Sequence, residues 1–219
     1  MHVFIATDIF GRTDAIEGLA QQFAEQDVAV TVVTPYAGHT FRHFPDERTA
    51  YSAFLEECGH ARYADILLTS IHATDARVLA IGFSAGASAL WHISDGAARL
   101  SLHHIIGFYP SQIRHALHII PSCPVTLIFP CREAHFHLEP IMHRVSQLPH
   151  VACLKTGYLH GFMNPLSCHY SPHAATKCLR VLADVRVCAN QTSFRQACHR
   201  AVGEGRPPEC QEGGRRNAL

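Results

Sequence analysis

The chain is 219 residues long, 47% hydrophobic, and carries 18 basic against 18 acidic side chains. That length suits one α/β domain with a short appendage, and the apolar content is ample for a core. A formal charge of zero provides no steering toward nucleic acid or an anionic membrane, no apolar run reaches the roughly 18 residues of a membrane span, and no basic, cleavable leader precedes the first apolar segment.

In chain order the pattern alternates between strand and helix. His2–Thr7 predicts a first strand, followed by a helix over Ala15–Gln26. That helix sets Ile16, Leu19, Ala20 and Phe23 on one face, with Thr13 or Asp14 as N-cap. Val28–Thr34 predicts a second strand, and Glu47–Cys58 a helix with Tyr51, Phe54 and Leu55 at helical spacing. Arg77–Gly82 is the third strand, Ala85–Ser94 an alanine-rich helix, and His104–Tyr109 the fourth strand. Val125–Phe129, a helix over His137–Leu148, Val151–Thr156 and a helix over Ala174–Ala189 complete the series. The strands are almost continuously apolar and β-branched or aromatic, as expected when both faces are covered. Short connections between them imply right-handed crossovers and a mostly parallel sheet. Ligands in such sheets sit beyond the carboxyl ends of the strands.

The domain is expected to span 1–189. Residues 190–219, with few apolar side chains after Val202, are expected to form a poorly ordered tail, because such a stretch buries too little surface to offset its ordering entropy. The nine cysteines are scattered and odd in number and read as reduced, mostly buried thiols. Cys168, Cys178, Cys188 and Cys198 recur every ten residues, which on one helix brings no common face. That regularity reads as chance.

Gly82-Phe83-Ser84-Ala85-Gly86 lies directly between a predicted strand and a predicted helix. In that context the pentapeptide is a nucleophile elbow, a sharp turn that presents a serine hydroxyl at the tip of the sheet. The glycines are needed because strand and helix pack too closely for a side chain. A serine hydroxyl needs a base, and the base an orienting acid, in the chain order Ser, acid, His. Among 18 histidines, His160 stands out because it follows the last strand and precedes Gly161. His135, His137 and His150 also lie near strand ends and compete with it. Glu133 is the carboxylate between the fifth strand and its helix; the plain alternative is a solvated loop glutamate beside Arg132. The amides of Ala85 and Ile9 are the candidate oxyanion donors. Asp8 is then near the serine, either as a turn carboxylate or as a group that tunes the nucleophile by hydrogen bonding.

Five segments resemble the dienelactone hydrolase family of α/β-hydrolases over roughly residues 2–185. They are Asp8-Ile9-Phe10-Gly11 with Thr13-Asp14, the elbow itself, Gly107-Phe108-Tyr109, Pro130-Cys131-Arg132-Glu133-Ala134-His135-Phe136, and His160-Gly161-Phe162. The resemblance implies a three-layer α/β-hydrolase fold with about six strands in the order 2-1-3-4-5-6, shortened at the N-terminus. It implies Ser84 as nucleophile, His160 as base, Glu133 as acid, and Ile9 and Ala85 as oxyanion donors. Serine stands where founding members use cysteine, which favours general ester, thioester or lactone cleavage. Pro130 and Glu133 replace the family's glycine and aspartate. Arg12, Arg42 and Arg48 are available to an acidic substrate but match no motif.

The leading expectation is a cytoplasmic serine hydrolase acting on a small molecule, with no cofactor, no nucleic acid and no membrane partner. The oligomeric state is left open, a homodimer included. The alternative is a catalytically silent member that uses the fold for binding or sensing. His135-x-His137 and Cys168-His169 offer metal-ligand types, but no C-x-x-C or H-E-x-x-H spacing occurs, so no metal is assigned. Specificity is expected in the loops Tyr36–Pro45 and Ser111–Ser122, with Phe41, Phe44 and Tyr109 as candidate pocket aromatics.

Overall fold

A computed structural model of the chain describes residues 1–38 and 41–203. Six strands form one parallel sheet: β1 (His2–Ala6), β2 (Ala29–Val33), β3 (Val78–Phe83), β4 (Leu102–Phe108), β5 (Val125–Phe129) and β6 (Val151–Lys155). Their order is β2-β1-β3-β4-β5-β6, as expected from the sequence, and every neighbouring pair is parallel. The register aligns Ala6 with Gly82 and Gly82 with Gly107. The carboxyl ends of β1, β3 and β4 therefore finish level, and the loops that follow them open on one edge.

Alternation along the strands builds two cores. Phe4, Ala80, Ile105 and Leu127 face the layer formed by α2 (Glu47–Glu57), α3 (Gly59–His72), α4 (Ala85–His92) and α5 (Leu138–Ser146). Val3, Ile5, Ile81, Ile106 and Ile128 face α1 (Asp14–Ala24), α6 (Pro172–Leu182), α7 (Val185–Ala189) and α8 (Gln191–Val202). Both faces of the sheet are thus buried, which explains the unbroken apolar runs.

Three elements differ from expectation. Helix α3 was absent from the sequence reading, although Tyr63, Leu67 and Ile71 recur every four residues and are fully buried. The absence of an acidic residue in its first turn and of a side-chain cap hides its start. The helix expected over Ala174–Ala189 is two helices, because Asp184 accepts from the Arg186 and Val187 amides and starts α7 afresh. The expected tail begins too early: Asn190 caps α8, whose Phe194, Cys198 and Val202 form a buried stripe. Three apolar side chains on one face offset the ordering cost that a mean composition suggested. The remainder of that expectation, 204–219, lies outside the described residues.

The cysteine spacing also acquires a meaning. Cys178, Cys188 and Cys198 lie on α6, α7 and α8 and are all buried in one core cluster. The chain folds back between them, so a repeat without a common helix face still converges. Among the described residues seven cysteines are free thiols, whereas Cys131 is disulfide-bonded, unlike the reduced state expected of it. Among the described residues no helix is long and apolar enough to cross a membrane.

Candidate active site

The turn from β3 into α4 is set by close approach. A Cβ on Gly82 would lie 2.6 Å from the Ala87 nitrogen, and one on Gly86 would lie 2.5 Å from the Thr7 carbonyl oxygen. Between them Ser84 adopts φ 49° and ψ −108°, in the left-handed half of backbone space. Its amide donates to the Phe108 carbonyl at 2.9 Å, and its carbonyl accepts from the Ser88 amide and hydroxyl, each at 3.0 Å. The backbone at Ser84 is therefore held from both sides while its side chain projects from the sheet.

Ser84 Oγ lies 2.9 Å from His160 Nε2, and His160 Nδ1 lies 2.9 Å from Glu133 Oε1. The Glu133 side chain is 10% exposed and that of His160 21%. The three expected side chains thus meet, from the loops after β3, β5 and β6. The acid and histidine loops are tied to each other by the Cys131 amide donating to the Tyr158 carbonyl at 2.7 Å. Thr156 reinforces this, its amide and hydroxyl both donating to the Phe129 carbonyl. The Tyr109 ring, fully buried, packs 4.9 Å from the His160 ring and backs it against solvent. The extra methylene of a glutamate is absorbed within this loop, so the departure from aspartate does not break the contact. The competing histidines fall elsewhere: His135 borders the cleft without meeting Ser84, and neither His137 nor His150 lines it.

The loop after β1 is a tight turn. The Gly11 amide donates to the Asp8 carbonyl at 3.1 Å, and the Phe10 amide to Asp8 Oδ1 at 2.9 Å. The Ile9 carbonyl accepts from the Tyr36 hydroxyl at 2.5 Å. Tyr63 donates to the Val33 carbonyl at 2.9 Å and lies 3.0 Å from that of Thr7, bracing the strand end. The Ile9 amide takes no part in any of these bonds, and Ile9, Ser84 and Ala85 line the same cleft. Ala85 opens α4, where the first amides of a helix lack intrahelical acceptors.

Of the two alternatives for Asp8, its hydrogen bonds match the turn carboxylate. Its carboxylate accepts from the Phe10 amide and from Asn164 Nδ2, the latter at 2.6 Å, and not from Ser84, whose hydroxyl bonds to His160. Burial pushes its carboxyl up to about 6, a rise opposed by Asn164, the Phe10 amide and the charge of His160. Sequence reasoning missed Asn164. The Asn164-Pro165 step signals a turn, but nothing local points to a partner 156 residues away.

The cleft holds about 700 Å³. Its walls carry Arg48, Arg114 and Arg132 against Glu47 and Glu133, with Tyr51, Phe136 and Leu159 as apolar surface. The loop after Ser111 contributes, as expected, through Ser111, Gln112 and Arg114, the last stacked 4.7 Å above Phe136. The expected aromatics do not. Phe44 packs on Phe10 and Tyr36, Phe41 is exposed, and Tyr109 lies behind His160. Residues 39 and 40 of the other expected loop lie outside the described residues. Of the three unassigned arginines only Arg48 reaches the cleft, while Arg12 pairs with Glu17 and Arg42 with Glu57. His60 also borders it, with both ring nitrogens buried and unpartnered and its imidazole pushed down to about 4, chiefly by burial. Among the described residues no group of three or more His, Cys, Asp or Glu is placed to hold a metal ion.

No family model matches the chain. A solved dienelactone hydrolase-like promiscuous phosphotriesterase, P91, from metagenomic libraries superposes with a TM-score of 0.62 at 17% identity, over 90% of this chain and 86% of its own. The dienelactone hydrolase of Anabaena variabilis gives 0.59 at 11% identity, over 83% of each chain. Est1E of Butyrivibrio proteoclasticus gives 0.58 at 11%, over 86% and 87%. In sequence, the uncharacterized protein YczH of Bacillus subtilis is 30% identical over 158 residues, 68% of this chain and 75% of that protein. The chain therefore belongs to the family of YczH, on an α/β-hydrolase fold that it shares with dienelactone hydrolases.

Proposed function

We propose that the protein is a serine hydrolase that cleaves a small ester, thioester or lactone through an acyl-enzyme on Ser84. The observation that carries this reading is the unbroken relay from Ser84 Oγ through His160 to Glu133, with both links at 2.9 Å. Glu133 accepts from Nδ1–H and so leaves the Nε2 lone pair facing the hydroxyl. As Ser84 attacks a carbonyl carbon, its proton passes to Nε2 and the carbonyl π pair moves onto oxygen. The Ile9 and Ala85 amides are the donors for that oxyanion. Collapse of the intermediate expels the leaving group, which takes the proton from His160. Water then repeats the sequence on the acyl-enzyme, with His160 again as base. The elbow's strain keeps the hydroxyl fixed, so little reorganisation is needed at attack.

A fluorophosphonate probe and short p-nitrophenyl esters test the reading. Wild-type protein is expected to label and to turn over. Ser84→Ala is expected to lose labelling and at least about 10³-fold in kcat/KM while keeping its melting temperature. Full activity in that variant would reject the mechanism. Absence of labelling in the wild type would favour the silent binding protein instead.

A further inference from the structure

The loop after β1 and the loop after β6 approach each other behind Ser84. The first presents the Ile9 amide and the second the His160 imidazole, and a substrate carbonyl needs both at once. Between the described residues of these two loops, one side-chain hydrogen bond crosses the gap: Asn164 Nδ2 to Asp8 Oδ2, at 2.6 Å and buried.

We propose that Asp8 and Asn164 form a positioning pair that locks the oxyanion amide of Ile9 to the imidazole of His160, so that both address one carbonyl. The inference rests on the reading of Ser84 as nucleophile. Each partner is a hub for its own loop. Asp8 accepts from the Phe10 amide through its other oxygen and from the Gly11 amide through its carbonyl, which leaves the intervening Ile9 amide unbonded. Asn164 gives its amide to the Gly161 carbonyl at 2.9 Å, accepts the Leu166 amide on Oδ1 at 2.8 Å, and accepts the Ser167 amide on its carbonyl at 3.0 Å. Its backbone bond thus seizes Gly161, the neighbour of His160. The roles within the side-chain pair are also fixed. Oδ1 is engaged with an amide donor, so Nδ2 must face Asp8, and only an acceptor at position 8 satisfies it. A pair of this kind acts through geometry, and a displacement of about 1 Å between base and oxyanion donor costs on the order of 10² in rate.

The test uses the full chain and four proteins: wild type, Asn164→Ala, Asp8→Asn, and the exchange D8N/N164D. Asp8→Asn sets a donor against a donor, whereas the exchange rebuilds the bond with its direction reversed. Fluorophosphonate labelling and kcat on a short p-nitrophenyl ester are expected to fall about 10- to 100-fold in each single variant, with KM nearly unmoved. The exchange is expected to recover most of the loss. A readout that needs no turnover is the low-field proton of His160 Nδ1–H bonded to Glu133, expected sharp in the wild type and the exchange and broadened in the single variants. Should N164A fail to fold, D8N, close to isosteric, carries the same comparison. Wild-type labelling rates in a folded single variant, or an exchange no faster than D8N, would overturn the pair. A wild type that never labels would instead reject the serine-hydrolase reading, and the Nδ1–H signal would still decide on the pair.

Discussion

The serine elbow and the histidine loop hold their side chains by different physics. At the elbow the constraint is steric: Gly82 and Gly86 face backbone atoms that cannot yield, and Ser84 is forced into its turn. In the loop after β6 the constraint is a chain of hydrogen bonds, with amides of Phe162, Asn164, Ser167, Tyr170 and Ser171 all donating to carbonyls of that same loop. Steric constraint leaves a mark in the sequence, because only glycine fits. Hydrogen-bond constraint leaves almost none, since any residue but proline supplies an amide.

The sharpest way to break the comparison is at the elbow. Gly86→Ala drives a Cβ into the Thr7 carbonyl oxygen, with the Ala6 carbonyl closer still, and these backbone atoms cannot rotate aside. A loss above about 4 kcal/mol, or failure to fold, is expected in denaturant titration. The histidine loop is expected to be more forgiving. Gly161 has φ +82°, and an added Cβ meets the side chain of Ser167, whose Cβ is 2.8 Å away, rather than backbone. Gly161→Ala should cost roughly 2–4 kcal/mol, from left-handed strain and overpacking. The double variant with Ser167→Gly should recover the packing share but not the strain. Equal costs for Gly86→Ala and the double variant would erase the distinction.

Asp8 sharpens it through pH. Its folded carboxyl, raised by burial from its usual range to about 6, binds a proton more tightly than the unfolded chain does. Its contribution to stability is therefore full below about pH 4 and is lost as pH rises through about 6, by roughly 3 kcal/mol in all. Chemical denaturation across that range should show this slope in the wild type and its removal in Asp8→Asn. The smallest effect is expected from Tyr36→Phe, which removes the donor to the Ile9 carbonyl. About 1 kcal/mol of stability is expected to go, together with a modest fall in kcat, both read on the same preparation.

Much of the fold was legible for this reason. The elbow and the meeting of Ser84, His160 and Glu133 follow from apolar runs, glycines and chain order, the strand order from the family resemblance, and Val125–Phe129 matches its predicted strand residue for residue. Helix α3 and helix α8 were not: α3 has no acidic first turn or side-chain cap to mark its start, and α8 shows only three buried residues at four-residue spacing in a mostly polar stretch. Asn164 was illegible in principle, since its partner lies at the other end of the chain. Of the two readings left open for Asp8, the turn carboxylate matches its bonds to Phe10 and Gly11, but its partner Asn164 left no local signal.

Two neighbouring strand ends, Ser84 after β3 and Tyr109 after β4, both carry side chains in left-handed backbone, at φ 49° and 41°. Each such residue costs about 1–3 kcal/mol, and the load falls on a fold whose margin is of the order of ten. These two strand ends are therefore where this protein has the most thermal resistance to gain, and where gaining it would most directly slow the hydrolysis proposed at Ser84. Hardening that spares them belongs on the far side of the sheet, among the helices that close around Phe194.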